Sequence, residues 1–305
     1  MGTILYGNLR VEVVNDRGAC LSLLREALPV PLPRPFSEVP STVSLLGRHE
    51  QVNTAYAAGR AQRPLEFIAP CGFGKTTLLR HVAAAAAYHG VARRAVYLHV
   101  GAGGLEDLLQ RLTAELYTSD PPVKLKPEAC AQLLRRAGAM IVLDDVALDP
   151  GQVECLLGLL AGGSLVLASQ RPAIGRHGIS LALTGLPDDA AVELVIAELG
   201  RPLTGEELAP VRRLIAAVDG QPLHLRQAAA LIREQGMTPE RIAGTAERDP
   251  AELDRLSINE LAGFLGRRPW LRPFPRAPPA PHLPEPEPLP AHPGRELTPV
   301  LRTPC

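Results

Sequence analysis

The stretch Leu65-Glu66-Phe67-Ile68-Ala69-Pro70-Cys71-Gly72-Phe73-Gly74-Lys75-Thr76-Thr77-Leu78-Leu79 constrains this chain more than any other. An apolar run enters a glycine-containing loop, and a helical pattern leaves it. Gly72 and Gly74 have no Cβ, so the backbone there can curl and turn its N–H groups inward. Those donors, with the positive end of a helix starting near Lys75, form a cradle for an anion. Lys75 can reach a β- or γ-phosphate, Thr76 offers a hydroxyl to Mg²⁺, and Phe73 and Thr77 complete the binding loop. The spacing G-x-x-x-x-G-K-[ST] is met at Gly74, Lys75 and Thr76. At its first position Ala69 stands in place of glycine.

Downstream, Met140-Ile141-Val142-Leu143-Asp144-Asp145 reads as a buried strand ending in two carboxylates. In a parallel sheet such residues lie at the carboxyl edge, where ligands of α/β folds sit. Asp144 is the candidate Mg²⁺ ligand with Thr76. Asp145 is the candidate for orienting or deprotonating an attacking water. Further strands are expected at 65–69, 95–100, 164–169 and 179–183, with helical spacing between them, as in Leu105, Leu108, Leu109, Leu112 and Leu116. Alternating strand and helix implies an α/β fold: a mainly parallel P-loop sheet flanked by helices over 41–185. From 186 to 248 only helical patterns occur, with starts at Asp188, Thr204, Pro222 and Thr238-Pro239, so a small helical bundle follows.

The termini read differently. Residues 4–14 alternate as a strand or hairpin, 21–28 suggest a short helix, and the proline-rich 29–35 reads as an extended linker, giving an extension over 1–40. Residues 251–265 form a plausible helix inside a segment 249–266. From 267 to 305 proline dominates, and a disordered tail is expected. The composition change at Gly266 to Arg268 suggests a truncated or frame-shifted product.

Composition narrows the function classes. The 305 residues carry 32 basic and 32 acidic side chains, so no long-range pull towards a polyanion comes from the whole chain, although a local basic patch is compatible with this balance. No helix-turn-helix pattern or basic stripe stands out, and no direct nucleic-acid partner is expected. The five cysteines form no CxxC pair, which fits a reducing, cytoplasmic setting. No run approaches the ~20 apolar residues that span a bilayer, and no membrane partner is expected. Arg171, after the strand at 164–169, can approach a γ-phosphate; local sequence alone favours a surface arginine capping a loop, and only the order of the elements points to the phosphate. Cys71 sits inside the cradle, where a small tolerated residue is the simpler account of it.

In order, these motifs resemble the NB-ARC nucleotide-binding module of STAND ATPases. Gly47-Arg48-His49-Glu50 resembles that family's entry, which contacts adenine. Leu143-Asp144-Asp145 resembles its hydrophobic-Asp-Asp strand, and Leu167-Ala168-Ser169-Gln170-Arg171 its sensor strand. Gly220-Gln221-Pro222-Leu223 resembles its G-x-P turn, with Pro222 against the base. The resemblance covers about Leu46 to Leu231. It implies an ATP/ADP switch with Mg²⁺ and slow hydrolysis, in which Lys75, Asp145 and Arg171 act on the phosphates. It leaves room for a protein partner or self-association. The alternative is a nucleotide-binding interaction module or a transcription-regulator fragment without significant turnover. The family's winged-helix domain has no complete counterpart here.

Overall fold

The computed structural model describes residues 2–6, 9–13, 21–25, 29–32, 45–101, 103–119 and 124–256. The proline-rich tail, most of the 249–266 segment and the composition change at Gly266 lie outside the described residues; of that segment, 251–256 is helical.

Near the start, β1 (Gly2–Tyr6), β2 (Leu9–Val13) and β3 (Leu21–Arg25) form an antiparallel three-stranded sheet. The short helix expected at 21–28 is therefore corrected to a strand over its first five residues. Register explains it: Leu21 stands opposite Val13 and Leu23 opposite Val11, and cross-strand pairing overrides a weak local preference. Part of the expected linker is also paired: β4 (Val30–Pro31) lies antiparallel to a short strand at Tyr117–Thr118. Proline is tolerated there because the ladder is at an edge.

The main body then alternates: α1 (His49–Arg60), β5 (Leu65–Ile68), α2 (Lys75–Ala85), β6 (Ala95–His99), α3 (Leu105–Leu116), β7 (Tyr117–Thr118), α4 (Pro127–Ala137), β8 (Met140–Asp144), α5 (Pro150–Leu159), β9 (Ser164–Ser169) and β10 (Ile179–Ala182). Five strands form one parallel sheet in the order β10-β5-β9-β8-β6. Both faces are covered, which is why β8 reads as an unbroken apolar run. Ile141 and Leu143 of β8 pack with Leu165 and Leu167 of β9 against α3, α4 and α5. Met140 and Val142 face the other way, with Val166, Leu65 and Phe67, against α1 and α2.

Local chemistry sets the helix ends. Pro127 and Pro150 open α4 and α5 at the first turn, and Asp149 with Gln152 closes a capping box. The helical bundle comprises α6 (Asp188–Leu199), α7 (Gly205–Ala217), α8 (Pro222–Gln235) and α9 (Pro239–Arg248), around a core including Leu194, Val211, Leu214, Leu225 and Ile242. Thr204 and Glu207 form the capping box of α7. Among the described residues no helix is long and apolar enough to cross a membrane.

Bundle and sheet meet where backbone passes close to backbone. At Gly185 an added Cβ would lie 1.7 Å from the Asp219 carbonyl oxygen, and the Leu186 N–H donates to the Gly220 carbonyl at 2.8 Å.

Candidate functional site

β5 lies between β9 and β10, and β6 lies two strands beyond β9. The order therefore reverses beside β5, and the loop that leaves it stands over the crevice at the carboxyl edge. Gly72 and Gly74 have φ of +89° and +83°, the left-handed region, and Gly74 directly precedes the first turn of α2. At Gly72 a Cβ would also lie 3.1 Å from that of Leu223.

The carbonyls of three successive loop residues are each held from outside the loop. Gln221 Nε2 donates to the Cys71 carbonyl at 3.0 Å. The Leu223 N–H donates to that of Gly72 at 3.1 Å. The Arg48 guanidinium donates to that of Phe73 at 3.4 Å and to that of Thr184 at 2.6 Å. Arg48 is buried, and burial holds its pKa below the ordinary guanidinium value. Lys75 lies back over the loop, with Nζ 2.6 Å from the Ala69 carbonyl oxygen and 2.8 Å from that of Pro70.

Asp144 is 2% exposed at the end of β8. Its Oδ2 accepts from Thr76 Oγ1 and from the Tyr97 hydroxyl, each at 2.7 Å. Tyr97 is pushed up to about 12, first by burial, then by its bond to Asp144 and that carboxylate's charge; Arg80, over the ring at 5.4 Å, opposes this. His99 stands between the two carboxylates, with Nδ1 3.9 Å from Asp144 and Nε2 4.0 Å from Asp145. Asp145 is half exposed and has φ of +53°, a conformation aspartate tolerates better than most residues.

Most of these groups, though not Tyr97, Arg80 or Gln221, line one cleft of about 430 Å³. Its lining includes Gly72, Phe73, Gly74, Lys75, Thr76, Thr77, Asp144 and Asp145, the apolar Leu45, Leu46, Leu186, Leu194, Pro222 and Leu223, and Arg48 and Cys71. Two expected residues fall elsewhere. Gly47 (φ +63°) is not among the lining residues; it packs where a Cβ would lie 2.6 Å from that of Ala190. Arg171 is exposed and outside the lining, whereas its neighbour Gln170 is in it.

Sequence reading missed Tyr97, His99 and Arg226. The first two come from the register that sets His99 beside Asp144, which strand composition alone does not reveal. Arg226 follows Pro222 by one helical turn, lines the cleft and pairs with Glu198 at 2.9 Å; i, i+4 spacing was its only signal.

No family model and no curated protein matches the chain. Among solved structures it is similar to a Walker-type ATPase of Pyrococcus abyssi, with TM-score 0.51 and 15% identity over 74% of this chain and 77% of that one. It also matches domain III of the replication initiation protein DnaA of Thermotoga maritima, with TM-score 0.44 and 17% identity over 68% and 94% of the two chains. The fold is that of the P-loop NTPases. A further match, at 15% identity and TM-score 0.39 over 73% and 93% of the two chains, is a replication initiator DnaA bound to AMPPCP and single-stranded DNA. That protein is bound to single-stranded DNA, and the expectation drawn from sequence, that no direct nucleic-acid partner is evident, is set aside against it.

Proposed function

We propose that the chain is a nucleotide-dependent switch of NB-ARC type, which binds ATP or ADP with Mg²⁺ in this cleft and hydrolyses ATP slowly. One observation carries the reading: the carbonyls of Cys71, Gly72 and Phe73 are gripped by Gln221 and Leu223 of the bundle and by Arg48 of the entry segment. A phosphate on the loop's N–H groups would bear directly on those bonds. Nucleotide state would thereby bias the placement of the bundle.

The donor set suits a hard divalent cation. Thr76 Oγ1 and Asp144 Oδ2 are oxygen donors 2.7 Å apart at the mouth of the loop. Phosphate and water would supply the other ligands. Mg²⁺, when bound, supplies neutralisation of phosphate charge. Lys75 would exchange its two loop carbonyls for phosphate oxygens. Tyr97 holds Asp144 in place, and Asp145 is the base or water-orienting group. The apolar side chains of the lining take the base, with Pro222 against it. Gly47 shapes the entry by its close packing, and Arg171 would need to swing inward to meet a γ-phosphate.

The test is to denature purified protein, identify any released nucleotide, and repeat with Lys75→Ala. ADP or ATP in wild type and its loss in the variant is the expected result; a protein that also ignores added nucleotide and Mg²⁺ ends the reading. The exposure of Arg171 favours a second reading, an interaction module that binds nucleotide without significant turnover. Comparing turnover with Asp145→Asn separates the two: equal rates near background would select the module.

A further inference from the structure

The chain's net charge of zero hides a segregation. At the amino-terminal edge of the main sheet, opposite the cleft, the connections into β5, β6, β8 and β9 are residues 59–64, 86–95, 135–139 and 160–163. They contain Arg60, Arg63, Arg93, Arg94, Arg135 and Arg136 and no aspartate or glutamate. Arg94 is half-buried and the other five are exposed.

Several contacts join these connections into one surface. Arg60 donates to the His89 carbonyl at 2.7 Å, tying the end of α1 to the turn after α2. The Met140 N–H donates to the Arg94 carbonyl at 2.9 Å, setting Arg94 at the start of β8. Arg60 and Arg135 line one small cleft of about 150 Å³ with Gly138, Gly162 and Ser164. On this surface stands Tyr88, 89% exposed. Its ring meets the edge of His89 at 5.2 Å, and His89 in turn stacks on Tyr56 at 4.6 Å. A large aromatic ring set out in water on a short, buttressed turn is not explained by packing.

We propose that this edge is a binding surface for single-stranded nucleic acid, separate from the nucleotide cleft. Guanidinium groups match phosphate oxygens in geometry and charge. Tyr88 offers a face on which an unpaired base stacks, the combination that single-strand binders use. α1 and α4 end at this edge rather than lie along it, so no helix is presented to a duplex groove. An anionic membrane is the other polyanion, but it calls for apolar anchors. Of the large apolar side chains exposed among the described residues, Tyr88 is the one these connections carry.

The experiment uses the full chain and fluorescein-labelled oligo-dT and oligo-rU of about 30 nucleotides, read by anisotropy. Six phosphate contacts predict that affinity falls roughly two and a half orders of magnitude between about 50 and 200 mM salt. The double variant Arg93→Glu, Arg94→Glu should lose at least about tenfold at low salt, and Tyr88→Ala about tenfold. The exposure of Tyr88 keeps that variant folded, which an unchanged unfolding curve confirms. Lys75→Ala should bind the oligonucleotides as wild type does, which keeps this outcome independent of the nucleotide site. A dT-to-rU ratio far from one identifies which nucleic acid is held. No binding at low salt, binding indifferent to all three substitutions, binding lost with Lys75→Ala, or binding to phosphatidylserine vesicles but not to either oligonucleotide would overturn the proposal.

Discussion

Glu66 is fully buried in the middle of β5, and its carboxylate accepts from four donors. Ser169 Oγ and the Ala173 N–H reach Oε1 at 2.7 and 2.9 Å; Ser180 Oγ and the Ile174 N–H reach Oε2 at 3.0 and 3.4 Å. One side chain thus ties β5 to β9, to β10 and to the segment that carries Gln170 past the cleft. In Glu66→Gln the amide oxygen can stay with Ser169 and Ala173. The NH₂ then meets Ser180, whose hydroxyl can turn and accept, and Ile174, whose N–H cannot. One buried donor is stranded and charge-assisted bonds become neutral ones, a cost of about 1–3 kcal/mol. Glu66→Ala strands both backbone N–H groups at about 1–3 kcal/mol each and leaves a cavity, so about 3–6 kcal/mol is expected. At about 2–4 °C per kcal/mol, the two variants should separate clearly in thermal unfolding. Urea titration of wild type and both variants gives the free energies. The reasoning fails if Glu66→Gln lies within about 0.5 kcal/mol of wild type, or if the two variants cost the same.

Three further outcomes are expected. Gly185→Ala would drive a Cβ to 1.7 Å from the Asp219 carbonyl oxygen; backbone cannot yield there, so urea unfolding should show a loss of about 3 kcal/mol or more. The Glu207 carboxyl is held down to about 2, first by its bond from Arg201 and then by the Thr204 N–H; its contribution is complete above its ordinary value near 4.5 and is lost as pH falls towards 2, so Glu207→Gln should flatten that part of the acid denaturation curve. Tyr97, raised to about 12, stabilises the fold fully below pH 10 and ceases to do so as pH rises from 10 to 12; an ultraviolet titration of Tyr97→Phe should lose a phenol that ionises well above pH 10, and loss of one that ionises near pH 10 would refute the Tyr97–Asp144 bond.

The strands of the sheet and the helices of the bundle were legible because periodicity, prolines and capping residues are local signals. Pro222, Thr204 with Glu207, and Thr238 with Pro239 each mark a helix start at the position where the structure has one. The strand Leu21–Arg25 was not legible, since its pairing with Leu9–Val13 is a contact between segments that neither segment announces alone. The candidate site divides the same way. Gly72, Gly74, Lys75 and Thr76 belong to one continuous motif, and their meeting with Asp144 follows from the strand order of an α/β fold. Which member of Gln170-Arg171 faces the cleft depends on how the chain turns after β9, and that turn is set by Glu66.

By itself the sequence determined the alternation of strand and helix, the glycine-bearing loop between β5 and α2 and the acidic end of β8, because each rests on residues within a few positions of one another. Only the tertiary structure decided that Tyr97 and His99 stand against Asp144, that Arg48 is buried holding loop carbonyls, that Gly47 and Arg171 lie off the lining of the cleft, and that six arginines share the opposite edge of the sheet. Those placements depend on parallel register and on which connections end at which edge. Both are set by long-range packing, in which the free energy of burying both faces of the sheet outweighs what any local segment prefers.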